Sequence, residues 1–183
     1  MLLFHAGSET KKEPDVHYGR KNADFGQGFY LTDDEEFANR WARERKGLET
    51  VVNTYEFDPE GLEICRFSRN EDWFGYIYAN RGFKPDELKA DVIIGPIAND
   101  TIYDTFGIVT SGFLQPKDAM KLLLIGPEYR QITLKTEKAA SRLKWLSSRV
   151  LTPDEVAGYS KTVAAEEEEY QRLVAAELEK IYE

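Results

Sequence analysis

The sequence contains few residues of the kinds that build disulfides and metal centres. It has one cysteine, Cys65, and two histidines, His5 and His17, in 183 residues. No internal disulfide can form, and a zinc site would need an unusual number of carboxylates. Cys65 also has no histidine near it in sequence, which argues against a Cys-His nucleophile pair. We therefore predict a protein with no metal and no cysteine chemistry.

Long apolar runs and targeting signals are missing as well. No stretch approaches the roughly 20 apolar residues that a transmembrane helix requires. Residues 1–5 lack the basic start and long apolar region of a secretory signal. We predict a cytoplasmic protein without membrane contact.

Basic residues are outnumbered, with 24 lysines and arginines against 33 acids and a net charge of −9. From residue 151 onward nine acids face three basic residues, so the excess is concentrated at the C-terminus. This balance gives no electrostatic indication of nonspecific nucleic-acid binding, although a nucleic-acid substrate in a local groove stays open.

The most informative segment is residues 24–32, where two glycines precede three large side chains. Gly26 and Gly28 allow tight turns and close approach by another group, and Phe29, Tyr30 and Leu31 have the character of a short buried strand. Neither the G-x-G-x-x-G nor the phosphate-loop pattern is present. The segment is typical either of a turn into a core strand or of a floor for a flat ligand. Residues 2–8 form a second predicted strand, which ends in histidine, glycine and serine.

Other elements follow from caps and periodicity. Thr32 and Glu35 have capping-box spacing and predict a helix to Arg45, whereas Asn70 predicts another helix cap. Alternation predicts strands at residues 51–57 and 131–136, and apolar residues predict a buried strand at 90–94. A helix is predicted to begin at residues 115–118. Thr136 is predicted to open a helix through Leu146.

Two short polar stretches have both a structural and a binding interpretation. Residues 9–23 predict a loop in which Arg20 and Lys21 either meet the pyrophosphate of a dinucleotide or are simply solvated. Asn99 or Asp100 is predicted to cap a helix, and the second of the two is a candidate ligand-binding side chain.

The last segment predicts a long acidic helix. Thr152, Pro153 and Glu155 form a helix-start pattern, and an apolar stripe runs along the helix opposite the glutamates. We divide the chain into a domain at 1–150 and an acidic amphipathic helical extension at 151–183. The stripe either packs on its own domain or docks to a partner.

Several segments together resemble the ADP-ribosyltransferase superfamily, and more closely a bacterial ADP-ribosyltransferase-like family of unknown function that includes toxin components of toxin–antitoxin pairs. The matching stretches are His5-Ala6-Gly7-Ser8, residues 17–22, residues 24–32, Trp41-Ala42, Asn80-Arg81, residues 95–100 and residues 131–133. The resemblance implies an α+β fold with a split antiparallel β-sheet core flanked by helices. It also implies NAD as a substrate, an unidentified acceptor and an antitoxin-like protein partner.

The resemblance further implies roles for individual residues. His5 would bind a ribose hydroxyl, the Gly7 backbone would take the nicotinamide amide, and Tyr30 would stack on the nicotinamide ring. The expected NAD-binding set is His5, Gly7, Ser8, Arg20, Gly28, Tyr30 and Asp100, and the expected catalytic set is His5, Tyr30 and Gln131.

Gln131 departs from the pattern, because the superfamily places its catalytic glutamate there. A glutamine keeps the hydrogen bond and loses the negative charge. Glu128, three residues earlier, would supply a carboxylate to the site if its loop placed it beside Gln131. We expect a mono-ADP-ribosyltransferase rather than a chain-elongating enzyme, with two alternatives: a non-catalytic module that binds NAD or ADP-ribose, and an interaction domain that works through its acidic helix.

Overall fold

The computed structural model describes residues 1–42, 47–99 and 114–182, and within them it has seven strands and five helices. The strands are β1 (Leu2–Gly7), β2 (Phe29–Leu31), β3 (Val51–Phe57), β4 (Ile64–Arg66), β5 (Val92–Pro96), β6 (Arg130–Leu134) and β7 (Leu143–Val150). The helices are α1 (Glu35–Trp41), α2 (Glu71–Arg81), α3 (Pro116–Leu123), α4 (Glu137–Ala140) and α5 (Pro153–Tyr182).

The strands form two separate sheets. One has the order β1-β3-β7 and is antiparallel throughout, and the other has the order β2-β6-β5-β4 with β4 parallel to β5. The α+β class is confirmed, and the described strand pairs are antiparallel except for the parallel β4–β5 pair. A single bridge between Phe4 and Thr32 brings β1 beside β2 at the junction of the sheets.

Apolar side chains bury both faces of the four-stranded sheet. On one face Trp73, Ile93 and Leu122 belong to a cluster covered by α2 and α3. On the other face Ile132 and Leu134 pack with Leu3 and other residues of the three-stranded sheet. Burial of apolar surface of this extent is the main stabilising contribution in a domain of this size.

Helix α1 begins later than its sequence pattern predicts. Asp34 is its N-cap, with a side chain that accepts a hydrogen bond from the Phe37 backbone, and the helix ends at Trp41. Thr32 instead pairs with Phe4, and its hydroxyl donates to the Arg130 carbonyl. The predicted Thr32–Glu35 capping box is therefore wrong, because pairing with β1 keeps Thr32 extended. Residues 43–46, to which the predicted helix ran, lie outside the described residues.

Strand β7 takes the place of the last turn of the helix predicted from Thr136 through Leu146. Thr136 does cap a helix, but α4 ends at Ala140, and residues 143–150 pair along the full length of β3. Leu143 and Trp145 pack against the cluster between the sheets. The helical spacing of these apolar residues was misleading, because tertiary pairing with β3 outweighed local propensity.

Helix α5 packs on the same domain that precedes it. Thr152 and Glu155 form the predicted capping box, in which the Thr152 amide donates to the Glu155 carboxylate at 2.8 Å. Tyr170 and Val174 are buried in the cluster beneath α2 and α3, whereas Tyr182 is 71% exposed. Of the two alternatives for the apolar stripe, the structure therefore has the intramolecular one. Among the described residues, none of the helices combines the length and apolarity needed to cross a membrane.

Candidate functional site

A cavity of about 610 Å³ lies where β1, β2 and β6 meet helix α1. Its size is within the range of small-molecule and cofactor sites. Polar groups come from strands and from the loop before β2, and apolar groups come from β1, β2, α1 and the residues around them. The described lining residues are Phe4, His5, Ala6, Gly7, Arg20, Asn22, Ala23, Asp24, Tyr30, Leu31, Thr32, Phe37, Ala38, Trp41, Ala42, Ile97 and Gln131.

Five of the residues selected from the sequence line this one cavity: His5, Gly7, Arg20, Tyr30 and Gln131. Four of them lie within residues 5–30, and Gln131 comes from about 100 residues later in the chain. Two others, Ser8 and Gly28, are described by the structure but are not part of the lining. Asp100 lies outside the described residues.

His5 is held in one tautomer by its neighbours. Its Nδ1 lies 2.8 Å from the Tyr30 carbonyl oxygen, so Nδ1 carries the proton and donates it. Burial lowers the pKa of His5 and Lys11 lowers it further, although the hydrogen bond to Tyr30 acts in the opposite direction. The imidazole is therefore neutral near pH 7, and its Nε2 is a hydrogen-bond acceptor.

The ring of His5 is fixed as well as its tautomer. It stacks on Phe29, with 4.5 Å between ring centroids. A side chain at Gly7 would place its Cβ 3.4 Å from the His5 Nε2. Glycine at this position keeps that nitrogen accessible to a ligand donor such as a hydroxyl.

Tyr30 presents a ring to the cavity while the turn before it holds its hydroxyl. The hydroxyl donates to the Gly26 carbonyl at 2.6 Å and accepts from the Phe25 amide at 3.0 Å. Burial, followed by the nearby charge of Asp24, raises the pKa of Tyr30, so the phenol stays protonated. Gly26 has a φ of +69°, a conformation that favours glycine, and this allows the turn to curl back onto the tyrosine.

Gln131 lies on β6 opposite Gly95 and is 6% exposed. Its side-chain nitrogen is 3.5 Å from the Pro96 carbonyl, which is a long and weak hydrogen bond. Glu128 does not take part in this lining. It faces Arg69 at 3.9 Å and belongs to a neighbouring acidic groove with Asp33 and Asp34.

Gly28 has a packing role instead of a lining role. A Cβ there would lie 2.7 Å from the Leu134 carbonyl oxygen, and a Cβ at Gly19 would lie 2.4 Å from the Gly28 carbonyl oxygen. Both glycines are needed for the loop to lie flat on β6. The close approach predicted for Gly28 is thus made by the protein's own backbone.

Arg20 is on the exposed side of the lining, in the loop of residues 9–23. Buried groups of β3 hold the start of this loop: the Asn53 side chain accepts from the Lys11 amide at 2.9 Å, and the Tyr55 hydroxyl donates to the Lys11 carbonyl at 2.6 Å. A cation at the mouth of a cavity is a natural partner for an anionic ligand group.

Helix α1 supplies the apolar wall. Phe37, Ala38, Trp41 and Ala42 recur at the spacing of one helical face. Phe37 stacks on Tyr129 with centroids 4.5 Å apart, and Arg40 forms an ion pair with Glu166 of α5. The C-terminal helix α5 therefore helps to hold this wall in place.

The one acidic residue among the described lining is Asp24, and our sequence-based site does not include it. Its carboxylate forms an ion pair with Arg81 of α2, 2.8 Å away, and both side chains are almost fully buried. The partners are 57 residues apart, so local pattern could not link them. The available signal was that both belong to stretches on which the sequence-based resemblance was predicted, residues 24–32 and Asn80-Arg81.

These features define the chemistry that the cavity supports. It offers a neutral imidazole acceptor, an aromatic ring held in place, an amide and a cation at the mouth, and its described carboxylate is neutralised by an arginine. Such a set suits a ligand with a flat ring, hydroxyls and an anionic group. Within the described ranges, His, Cys, Asp and Glu side chains form no group of three or more that could hold a metal.

Comparison with known proteins gives one result. A family model described as "Protein of unknown function (DUF3990)" matches residues 1–145, which include every described residue of the cavity. No curated protein and no solved structure matches the chain. Since the match covers well over half of the sequence, the chain belongs to the DUF3990 family of proteins of unknown function.

Proposed function

We propose that the cavity binds NAD and that the protein is a mono-ADP-ribosyltransferase. The observation that carries this proposal is that His5, Tyr30 and Gln131, from three separate strands, meet in one cavity lining. These are the residue positions at which the sequence resembles the superfamily's NAD site. The direct hydrogen bond from His5 to the Tyr30 carbonyl also supports the proposal that these two residues bind the same ligand.

Each lining group has a role that its geometry supports. The acceptor Nε2 of His5 takes a ribose hydroxyl, and the ring of Tyr30 stacks against the nicotinamide. The Gly7 backbone at the end of β1 takes the carboxamide, and Arg20 at the mouth pairs with the pyrophosphate. The two-sheet arrangement is compatible with the split sheet of ADP-ribosyltransferases.

In the proposed reaction the bond between nicotinamide and ribose breaks, and nicotinamide leaves with the bonding electrons. An acceptor nucleophile then attacks the ribose carbon and gives up its proton to solvent. The side-chain oxygen of Gln131 can accept a hydrogen bond from the reacting ribose but brings no charge to the oxocarbenium-like centre. Charge stabilisation of this kind is worth about 3 kcal/mol. We therefore propose that the protein transfers single ADP-ribose groups slowly, at a rate on the order of a hundredfold below that of a site with glutamate at this position.

A second candidate, a non-catalytic NAD or ADP-ribose sensor, is favoured by one observation. Gln131 stands at the position of the expected carboxylate, and Asp24, the acid in the described lining, is already paired with Arg81. An interaction domain that works through its acidic helix has less support, since α5 uses Tyr170 and Val174 to cover its own core. The family resemblance also supports a bacterial cytoplasmic toxin with an antitoxin-like partner.

The test is nicotinamide release from NAD by the purified protein, compared with Gln131→Glu and Tyr30→Ala. We expect slow release by the wild type, release about a hundredfold faster by Gln131→Glu and none by Tyr30→Ala. NAD binding without release by the wild type or by Gln131→Glu would contradict the transferase and support the sensor.

A further inference from the structure

The buried ion pair between Asp24 and Arg81 is unusual in its cost. Arg81 Nε and a terminal nitrogen lie 2.9 and 2.8 Å from the same carboxylate oxygen, and Arg81 is 7% exposed. Removing two charges from water carries a desolvation penalty that a pair of well-packed apolar residues would avoid. A stability role alone therefore accounts poorly for the pair.

The pair lies at one end of a chain of contacts that ends at Tyr30. Asp24 opens the turn whose next two residues, Phe25 and Gly26, bind the Tyr30 hydroxyl. Arg81 therefore fixes the turn at Asp24, and the turn fixes the ring of Tyr30. Arg81 itself is not part of the described cavity lining.

Other groups hold the same turn in place. The Asn80 side chain donates to the Asp24 carbonyl at 3.1 Å, and the Ala98 amide approaches the second Asp24 carboxylate oxygen at 3.3 Å. Lys135 donates to the Phe25 carbonyl and forms an ion pair with Asp86. The turn is thus anchored to α2, to the segment that follows β5 and to the residue after β6.

We propose that Asp24 and Arg81 are positioning residues, which set the turn that holds the Tyr30 ring against the nicotinamide half of the dinucleotide. This inference rests on the proposed NAD site. It predicts that loss of the pair weakens binding of NAD more than binding of ADP-ribose, which lacks nicotinamide. General damage to the cavity would weaken both ligands alike.

The experiment is a double-mutant cycle on Arg81 and Tyr30, measured by calorimetric titration with NAD and with ADP-ribose. The variants are Arg81→Met, Tyr30→Ala and the double variant, with Asp24→Asn as a second way to break the pair. Arg81→Lys is the conservative rescue, since it keeps a charge but not the two-nitrogen contact. All titrations are made well below each variant's melting temperature, with folding checked by circular dichroism.

Lys138→Met is the matched control. Lys138 forms an ion pair with the mostly buried Asp91 at 2.8 Å, but neither residue lines the cavity. We expect this variant to lose stability and to keep the wild-type affinity for both ligands.

For the Asp24–Arg81 pair we expect Arg81→Met and Asp24→Asn to weaken NAD binding about tenfold and to change ADP-ribose binding less than about twofold. Arg81→Lys should keep part of the NAD affinity that Arg81→Met loses. In the Tyr30→Ala background, Arg81→Met should have no further effect on NAD affinity. Equal losses for the two ligands, additive effects, or wild-type NAD affinity in Arg81→Met and Asp24→Asn would each overturn the positioning role. Absence of NAD binding by the wild type would overturn the proposed function and this role with it.

Discussion

The hydroxyl of Tyr30 gives a sharp test of how the site is held together. Tyr30→Phe keeps the ring and removes one oxygen, which donates to the Gly26 carbonyl and accepts from the Phe25 amide. Phe25 is 0% exposed, so its amide has no ready access to water in place of the lost partner.

The cost can be worked from these two hydrogen bonds. A buried donor or acceptor left unpaired costs about 1–3 kcal/mol. Two such groups, partly relaxed, give a loss of about 3 kcal/mol in the free energy of unfolding. In a protein of this size each kcal/mol shifts the melting temperature by roughly 2–4 °C, so we expect Tyr30→Phe to melt roughly 6–12 °C lower.

Tyr55→Phe is the control for a single buried tyrosine hydrogen bond. The Tyr55 hydroxyl donates to the Lys11 carbonyl at 2.6 Å, and its loss should cost about 1–1.5 kcal/mol. Differential scanning calorimetry of both variants should therefore show the larger shift for Tyr30→Phe. Equal shifts, or a shift below about 2 °C for Tyr30→Phe, would refute the assignment of two structural hydrogen bonds to this hydroxyl.

Three further predictions concern other parts of the molecule. NAD should change the tryptophan fluorescence of the wild type and of Trp145→Phe but not of Trp41→Phe, because Trp41 is the tryptophan in the described cavity lining; an unchanged response in Trp41→Phe would contradict its place there. His5 has a lowered pKa in the folded protein, so on acidification the unfolded chain binds a proton at His5 before the folded protein does. The free energy of unfolding should therefore fall as the pH drops below about 6.5. Urea unfolding at several pH values should show a smaller fall in this free energy for His5→Gln. Tyr170→Ala should cost about 3–5 kcal/mol in urea unfolding and the exposed Tyr182→Ala less than about 0.5; similar costs would contradict the docking of α5.

Local signals predicted several elements correctly. Asn70 caps α2, with its side chain 3.0 Å from the Trp73 amide, and the Thr152–Glu155 box begins α5. Strand β3 coincides with the predicted residues 51–57. These elements depend on caps and periodicity within a few residues, which is the information that a single sequence contains.

The errors arise where distant pairing decides the local conformation. Thr32 has a cap pattern but is extended, because it pairs with Phe4. The segment after Ala140 has apolar residues at helical spacing but forms β7, because β3 offers a strand edge about 90 residues earlier in the chain.

For the proposed site, the sequence selected His5, Tyr30 and Gln131, which the structure brings into one cavity lining. The sequence was not enough to find Asp24, whose importance appears only when Arg81 is placed beside it. Gly28 shows the opposite case: a glycine is required there because β6 approaches closely, not because a ligand does.

Above all, we propose that the cavity lined by His5, Tyr30 and Gln131 binds NAD. Calorimetric titration of the wild type with NAD, with Tyr30→Ala as the control, tests it most directly. We expect saturable one-to-one binding by the wild type and much weaker, still measurable binding by Tyr30→Ala, while circular dichroism shows that the variant is folded. No binding at millimolar NAD, or equal binding by a folded Tyr30→Ala, would contradict it.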